Sequence, residues 1–219
     1  MARPNLTDLD LSNNLISDVT PLAGLSALSV LELTGNEIDD PSSVAALTGL
    51  TELWIGFNDI TELSWASGLT SLTLLSIRST QASDLGPLSG LPALTNLYAH
   101  ECGLTDIAPL AGIGTLELFQ AEDNQIEDLT PLSALPNLSR VNLQYNAIVD
   151  LSPLVSNTDL GEGDRVSLSY NPIDCDAQAG SQSAEATRAN RVTAEVAAKV
   201  RPSTNSMPKQ CVILTHLSR

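Results

Sequence analysis

The stretch LTDLDLSNNLISDVTPLAGLSALSVLELTGNEI, residues 6–38, contains one phrase twice, and the two copies begin 22 residues apart. The phrase has the pattern L-x-x-L-x-L-x-x-N-x-I. Further copies follow at the same interval, and the seven opening leucines are Leu6, Leu28, Leu50, Leu72, Leu94, Leu116 and Leu138. An eighth, imperfect copy, VSLSYNPI, comes after a three-residue insertion around residues 161–164. A constant period of this kind is typical of a solenoid, in which successive turns of the chain stack on one another.

The alternation of leucines within each phrase predicts a short β-strand with one buried face. Because the copies have equal length, the strands should stack as a parallel sheet with about 4.8 Å between neighbours. The second half of each repeat places leucine-type residues three apart, as in Leu22 and Leu25, which favours a 3₁₀ turn over an α-helix. We therefore expect an α/β solenoid with a parallel β-sheet on one side and 3₁₀ turns on the other.

A ladder of small or polar residues occupies the ninth position of the phrase, just after each predicted strand. Its members are Asn14, Asn36, Asn58, Thr80, Cys102, Asn124, Asn146 and Asn171. A buried asparagine at this point can bridge backbone groups of adjacent turns, which would otherwise lose roughly 1–3 kcal/mol as unsatisfied polar groups. We assign this column a structural role.

An acidic residue recurs once per repeat ahead of the predicted turn, as at Asp18 and Asp40. Two residues later comes a column that begins with Thr20 and Ser42 and consists mostly of helix N-cap types. The carboxylates are expected to accept backbone N–H bonds where the strand gives way to the turn. A calcium ladder is the alternative, but one carboxylate per repeat does not make a chelating cluster, so no metal site is expected.

The charge of the chain is distributed unevenly. Residues 1–173 carry 22 acidic and four basic residues, whereas residues 174–219 carry four acidic and six basic ones. Such an acidic surface repels phosphate backbones and anionic headgroups, so nucleic acid is not expected as a partner. The longest apolar runs are only a few residues long, and no membrane insertion is expected.

The stretch NLISDVTPLAGLSALSVLEL resembles the leucine-rich repeat of bacterial internalins, which combines a 22-residue period, an asparagine ladder and an Asp-x-x-Pro-Leu motif. The resemblance covers residues 6–155 closely and extends to residue 173 with one irregular copy. It implies a curved, right-handed solenoid (a horseshoe) on a cell surface that binds a protein through its concave sheet. Internalins begin with a helical cap, whereas this chain enters its first repeat almost at once.

Two parts are predicted, a repeat array of about eight repeats at residues 1–173 and a C-terminal capping segment at residues 174–219. The stretch NPIDCDAQ at their junction resembles the cysteine-bearing C-terminal flanking cap of extracellular leucine-rich repeats. Apolar residues spaced four apart over about 183–200 predict one small amphipathic helix. The resemblance implies a disulfide between Cys175 and Cys211, and therefore an oxidising compartment; two unrelated buried thiols are the alternative.

Three reactive side chains are adjacent at His100, Glu101 and Cys102. The repeat register separates them, because Cys102 occupies the ladder column and points into the core, whereas His100 faces outward from the sheet. The two therefore do not form a nucleophile and its base. No other place in the register combines a nucleophile, a base and an oxyanion donor, so we expect neither enzyme activity nor a cofactor.

The third, fifth and seventh positions of each phrase should face outward on the concave sheet, and the eighth should lie at its rim. Five of the seven aromatic residues fall in these columns, and exposed aromatic residues on a rigid surface commonly anchor interfaces. The predicted ligand-binding residues are Trp54, Phe57, Leu74, Arg78, Tyr98, His100, Leu118, Gln120, Arg140 and Tyr145. The face is acidic toward its N-terminal end and basic toward its C-terminal end, so a protein ligand with a basic patch would be steered to the first repeats.

These observations favour a non-enzymatic protein-binding module that is secreted or displayed on a bacterial surface. No apolar leader precedes the first repeat, so the chain is either not exported or has lost its signal peptide. A glycan or cell-wall binder is one alternative, because Trp and Tyr faces also stack on sugars. An intracellular, cytoplasmic regulatory scaffold of the phosphatase-regulator type, which the chain resembles in its 22-residue repeats, is another, and it would contain free thiols.

Overall fold

Each repeat contributes one short strand to a single parallel sheet. The computed structural model describes residues 6–173, in which strands β1–β8 are Asp8–Asp10, Val30–Glu32, Glu52–Trp54, Leu74–Ser76, Asn96–Tyr98, Leu118–Gln120, Arg140–Asn142 and Arg165–Ser167. The strands pair in sequence order. Opposed residues occupy the same position in successive repeats, as Leu53 and Leu75 do. The predicted leucine-rich repeat solenoid is confirmed, with the sheet in the predicted register.

The return half of each repeat is a short helical turn. Six of these turns are 3₁₀ helices, namely Thr20–Gly24, Ser42–Ala46, Ser64–Gly68, Gly86–Leu88, Ala108–Gly112 and Thr130–Leu132. The seventh, Ser152–Ser156, is a short α-helix, α1, so the prediction of 3₁₀ geometry is wrong there. This repeat carries the insertion, since Arg140 of β7 pairs with Arg165 of β8 instead of a residue 22 positions later.

The apolar core is a continuous column of side chains, one set per repeat. Leu31, Leu53 and Phe119 are all 0 % exposed. Burying each such side chain contributes about 1.5–3 kcal/mol. In the first repeat Leu9 is only partly buried, because a single neighbouring repeat packs against it. The stability of the array therefore comes from contacts between successive repeats.

The array that the structure describes ends at Ile173, which is 7 % exposed. The predicted helix at about 183–200 and the predicted pair Cys175 and Cys211 lie outside the described residues. The division into an array and a capping segment therefore stays a prediction.

The asparagine ladder joins each repeat to the one before it. Asn124 Nδ2 donates to the carbonyl oxygens of Ala99 (2.9 Å) and Ala121 (3.0 Å), and its Oδ1 accepts from the backbone N–H groups of Leu104 (2.9 Å) and Cys102 (3.1 Å). Bonds of the same kind to the preceding repeat are made by Asn36, Asn58, Asn146 and Asn171. These amides supply partners for backbone groups that would otherwise be buried without any.

Two positions of the ladder lack asparagine and keep only part of this bonding. Cys102 Sγ still reaches the preceding repeat, where it donates to the carbonyl oxygen of Ile77 (3.1 Å). Burial raises the pKa of the Cys102 thiol, so the group remains protonated and able to donate. Thr80 Oγ1 donates to Ile77 O (2.8 Å) within its own repeat. Among the described residues, the Thr80 side chain therefore makes no hydrogen bond from the fourth repeat to the third, whereas Cys102 keeps one bond to its preceding repeat.

A second ladder, made of hydroxyl groups, runs along the second position of the phrase. Thr51 Oγ1 donates to Ser29 O (3.0 Å), Thr73 to Thr51 O (2.9 Å), and Thr95 to Thr73 O (3.0 Å). Each bond joins one repeat to the repeat before it, at the N-terminal end of the strand. This column was not predicted, although the recurrence of Thr and Ser at one position of the phrase is visible in the sequence.

The rim of the sheet has a left-handed backbone at the eighth position of each phrase. The φ angle is 53° at Phe57 and Glu101, 55° at Asn13 and Tyr145, and 72° at Gly35. Glycine and asparagine favour this region, whereas for other residues it is strained by about 1–2 kcal/mol. The bend recurs directly before the ladder residue in each phrase, and it was not apparent from the mixed side chains of this column.

The acidic column caps the return turns. Asp18 Oδ1 accepts the backbone N–H of Thr20 (2.9 Å) and also its hydroxyl (2.6 Å), and Asp128 caps Thr130 in the same way through the backbone (2.8 Å). Thr20 is the first residue of its turn, so the interpretation of its column as the N-cap is wrong. Hydrogen bonds from the Thr20 hydroxyl and backbone lower the pKa of Asp18. Corresponding bonds lower the pKa values of Asp40, Asp128 and Asp150.

Replacing one buried ladder residue should strongly destabilise the fold. In Asn124→Ala, the N–H groups of Leu104 and Cys102 and the carbonyl of Ala99 lose their partner, and we expect a loss of about 3–4 kcal/mol in the free energy of unfolding. The control is Asn14→Ala, because Asn14 is exposed and bonds only within its own repeat. It should lose less than about 1 kcal/mol. Urea unfolding measures both values, and equal losses would contradict the role of the ladder.

Stability should fall in acid because the capping carboxylates have lowered pKa values in the folded state. Their contribution is present above the unfolded pKa of about 3.9 and is lost as the pH falls through the lower folded values. We therefore expect the urea midpoint to drop below about pH 4. The double variant Asp128→Asn, Asp150→Asn should show a shallower acid slope than the parent chain. An unchanged slope would show that these caps do not contribute to the pH dependence.

Candidate interaction surface on the concave sheet

The centre of the concave face is an aromatic platform formed by Trp54, Tyr98 and His100. Trp54 ends β3 and Tyr98 ends β5, and the register places Ser76 of β4 between them. The two rings meet with centroids 5.4 Å apart. Ser76 is only 1 % exposed because the rings lie over its short side chain, while both rings remain partly exposed. A small residue between two large ones thus creates a continuous ring surface.

His100 extends the platform toward the C-terminal repeats. Its ring stacks on Tyr98 with centroids 6.3 Å apart. His100 Nδ1 pairs with Glu122 Oε2, and the other carboxylate oxygen of Glu122 accepts from Asn142 Nδ2. Side-chain contacts therefore connect β3 to β7 across the concave face. Side chains fixed in this way lose less rotamer entropy when a partner binds.

Gly56 lies in the seventh column and has no side chain, and this leaves space for Arg78 beside the platform. A Cβ at Gly56 would lie 2.6 Å from Arg78 Cγ and 2.6 Å from Arg78 O. The stem of Arg78 occupies the space over Gly56, and its guanidinium carbon lies 4.7 Å from the centroid of the Phe57 ring. A cation over an aromatic face gains about 0.5–1 kcal/mol at an exposed site. The guanidinium of Arg78 is therefore exposed to solvent but held in one orientation over the Phe57 ring.

A pair of tyrosines forms a second exposed aromatic spot at the rim. Tyr145 and Tyr170 stack with centroids 4.2 Å apart and an interplanar angle of 5°, and their exposed fractions are 46 % and 47 %. The hydrogen bond with Tyr170 raises the pKa of the Tyr145 hydroxyl. Tyr170 was not among the predicted binding residues. The signal for it was its position in the same column as Tyr145, after the insertion.

The other predicted binding residues differ in how much surface they offer. Arg140 is exposed, and Leu74 and Gln120 are half-exposed. Leu118 lies in the outward third column as expected but is only 6 % exposed, so the expectation that it is accessible is wrong. Leu118 lies between neighbouring strands, and burying its apolar side chain there removes apolar surface from water, which is favourable.

The reactive side chains of Cys102 and His100 lie in different environments. Cys102 is 2 % exposed beneath the sheet, whereas the imidazole of His100 belongs to the concave platform, so the two do not form a reactive pair. Within residues 6–173, no three His, Cys, Asp or Glu side chains are grouped to hold a metal ion. In that same part of the chain, no helix has the length and apolar content required to cross a bilayer.

The fold and its concave surface define a leucine-rich repeat protein. A family model of leucine-rich repeats (two copies) matches residues 4–46. The solved structure of internalin C2 from Listeria monocytogenes is 33 % identical, with a TM-score of 0.72, over 84 % of this chain and 76 % of that one. The chain belongs to the internalin-type leucine-rich repeat family. The cysteine-bearing cap that the resemblance implies stays a prediction.

Two further solved structures share the fold. An internalin (inlF) from Listeria monocytogenes is 29 % identical with a TM-score of 0.70, and the match covers 77 % of this chain but only 55 % of inlF, so the chain spans about half the length of that structure. The leucine-rich repeat ectodomain of a plant membrane receptor kinase from Arabidopsis thaliana, solved in complex with Casparian strip integrity factor 2, is 25 % identical with a TM-score of 0.64, over 76 % of this chain and 22 % of that one. No curated protein sequence matches the chain. Leucine-rich repeat proteins are generally protein-interaction modules that use their concave surface.

A side chain at position 56 should disturb the fourth repeat. In Gly56→Ala, the new methyl group meets the backbone oxygen of Arg78, which moves less easily than a side chain, and we expect a loss of about 1–3 kcal/mol. The matched control is Gly68→Ala, because nothing lies within 4 Å of a Cβ at Gly68. Thermal unfolding of both variants is the measurement. Similar melting temperatures would show that the close approach at Gly56 is relieved without strain.

Proposed function

We propose that this chain is a non-enzymatic module that binds a protein ligand on its concave face. The observation that carries the proposal is the ring pair of Trp54 and Tyr98, which stays partly exposed although both rings are fixed against each other. A monomeric fold gains by burying aromatic rings, so rings kept at the surface in a rigid arrangement are typical of interface anchors.

The surroundings of the rings support a protein as the ligand. Arg78 and Glu122 add opposite charges on either side of Tyr98, and Asn142 and Gln120 add amides that can donate and accept hydrogen bonds. Protein interfaces combine such an aromatic centre with a polar, partly solvated rim. The sheet is also already ordered by its ladders, so little conformational entropy is lost on binding.

The comparisons support the same class of function and a location outside the cell. The plant ectodomain is described in complex with Casparian strip integrity factor 2, and two of the solved structures reported above are internalins of a bacterium. We infer that this chain acts as a secreted or surface-displayed binding protein of a bacterium. Its acidic surface is unsuited to nucleic acid, because phosphate groups would be repelled.

A glycan is the second candidate ligand. The stacked pair of Tyr145 and Tyr170 offers flat outer ring faces at the rim, a geometry that can pack against a sugar ring. A glycan array probed with the chain tests this possibility. Binding that is lost in Tyr145→Ala, Tyr170→Ala but kept when Trp54 and Tyr98 are replaced would assign the rim to carbohydrate.

Removing the platform should abolish partner capture without unfolding the chain. In Trp54→Ala, Tyr98→Ala, both anchors are lost although neither ring belongs to the buried core, so the melting temperature should fall by no more than about 5 °C. The immobilised double variant should retain at least about tenfold less of the proteins that the parent chain captures from host-cell or neighbouring-cell extracts.

The control for this experiment removes apolar surface elsewhere. Leu15 and Val149 are 82 % and 55 % exposed and lie outside the concave columns. The variant Leu15→Ala, Val149→Ala should capture the same proteins as the parent chain. Undiminished capture by the platform variant, or an equal loss in the control, would rule out the concave platform as the binding site.

A further inference from the structure

Every cationic side chain of the described repeats lies on or beside the concave face. Residues 6–173 contain three arginines and no lysine. Arg140 and Arg165 begin β7 and β8, and Arg78 lies beside the platform over Phe57. Acidic residues, in contrast, occur on the sheet, at its rim and in the return turns. Within residues 6–173, the return side therefore carries acidic groups without any cation to offset them, and the arginines are not positioned to neutralise it.

The sheet carries a pair of like charges at each end. Arg140 and Arg165 are directly opposite each other in the register of β7 and β8, and both are exposed. Asp10 and Glu32 are opposite each other in β1 and β2. Like charges at directly opposed positions destabilise a sheet. No ion pair joins either arginine to an acidic group within the part of the chain that is described, so the arginine pair is not explained by the fold itself.

The two pairs are too far apart to neutralise each other. Their midpoints are separated by six strand spacings in the sheet order, or about 29 Å. The Debye length at physiological salt is about 8 Å, so the attraction between them is screened. One oxygen of Asp10 accepts the backbone N–H of Ser12 (2.8 Å), which lowers the pKa of Asp10 and keeps the carboxylate ionised. A rigid sheet thus presents negative charge on one side of the platform and positive charge on the other.

We propose that the concave face binds an extended segment of a partner protein with the opposite order of charges, namely two basic residues for Asp10 and Glu32 and two acidic residues for Arg140 and Arg165. An extended chain advances about 3.3 Å per residue, so the two charged pairs of the ligand are about nine residues apart. This inference rests on the proposed function, because it specifies the ligand of the same surface.

The aromatic platform also constrains the residues of the ligand that lie between its two charged pairs. The contact between Trp54 and Tyr98 lies over β4, about 12 Å from the acidic pair of the sheet. A ring or a proline about four residues from the basic pair of the ligand would rest on it. A uniformly basic ligand is disfavoured, because its far end would meet the two arginines. Binding of the bipolar segment neutralises both like-charge pairs and relieves their repulsion.

Two synthetic peptides of identical composition test the spacing. Each contains two lysines, two glutamates and one proline in a glycine–serine background; one places the charged pairs nine residues apart with the proline four residues from the lysines, and the other places all four charges together. Both peptides are neutral, so the overall acidity of the protein affects them equally. Calorimetric titration of the full 219-residue chain at about 0.15 M salt should show about tenfold tighter binding of the spaced peptide.

Variants of the chain assign this preference to the arginine pair. The double variant Arg140→Gln, Arg165→Gln should bind both peptides equally. Its matched control, Ala111→Glu plus Ala134→Glu, changes the net charge by the same amount at exposed positions on the return side and should keep the preference. Equal binding of the two peptides by the parent chain, or binding of neither, overturns the inference. So does a preference that survives in the arginine variant or disappears in the control.

The outcome is separable from that of the proposed function. If replacing Trp54 and Tyr98 abolishes partner capture while the peptides show no preference, the concave binding function stands and the charge pattern of the ligand is wrong. If capture survives that replacement, the proposed function fails, and the inference fails with it whatever the peptides show.

Discussion

The structure depends on satisfying backbone groups that every turn of the solenoid buries at the end of its strand. There the chain leaves the sheet, and groups such as the N–H of Leu104 and the carbonyl of Ala99 have no strand partner. One asparagine amide has the donors and the acceptor that this corner requires, as Asn124 shows. Because the same bonds recur from corner to corner, the strands keep their register, even across the seventh repeat, which is three residues longer. Where the ladder holds Thr80 or Cys102, part of this bonding is absent.

A fixed register has a direct consequence for the exposed face. Residues at one position of the repeat form a straight column. Which side chains are neighbours in that column therefore depends on the repeats to which they belong. Trp54 and Tyr98 touch because the column has Ser76 between them, and Arg78 lies flat because Gly56 leaves space. None of these side chains is required by the core. The concave face can therefore carry a ligand site without weakening the array, which is why a chain of this class separates stability from recognition.

The charged residues show the same division between the fold and the exposed face. On the return side, carboxylates such as Asp18 cap the helical turns, so their charge serves the fold and their pKa values are lowered by the bonds they accept. On the concave side, Arg140 and Arg165 stand opposite each other without an acidic partner in the described array. A charge that is satisfied locally contributes to stability, whereas the arginine pair is repulsive and is the basis of the proposed charge pattern of the ligand.

The amino-acid sequence by itself determined the repeat, the strands, the ladder column and the outward columns, because each follows from a local spacing that recurs unchanged. It did not determine that Thr20 is the first residue of its turn and not the N-cap, that Ser152–Ser156 is α-helical, or that Leu118 is covered. Those features depend on rotamers, on the length of an irregular repeat and on neighbours that belong to other repeats. Only the stacked tertiary structure places such neighbours side by side, since residues that touch across the sheet are a whole repeat or more apart in the chain.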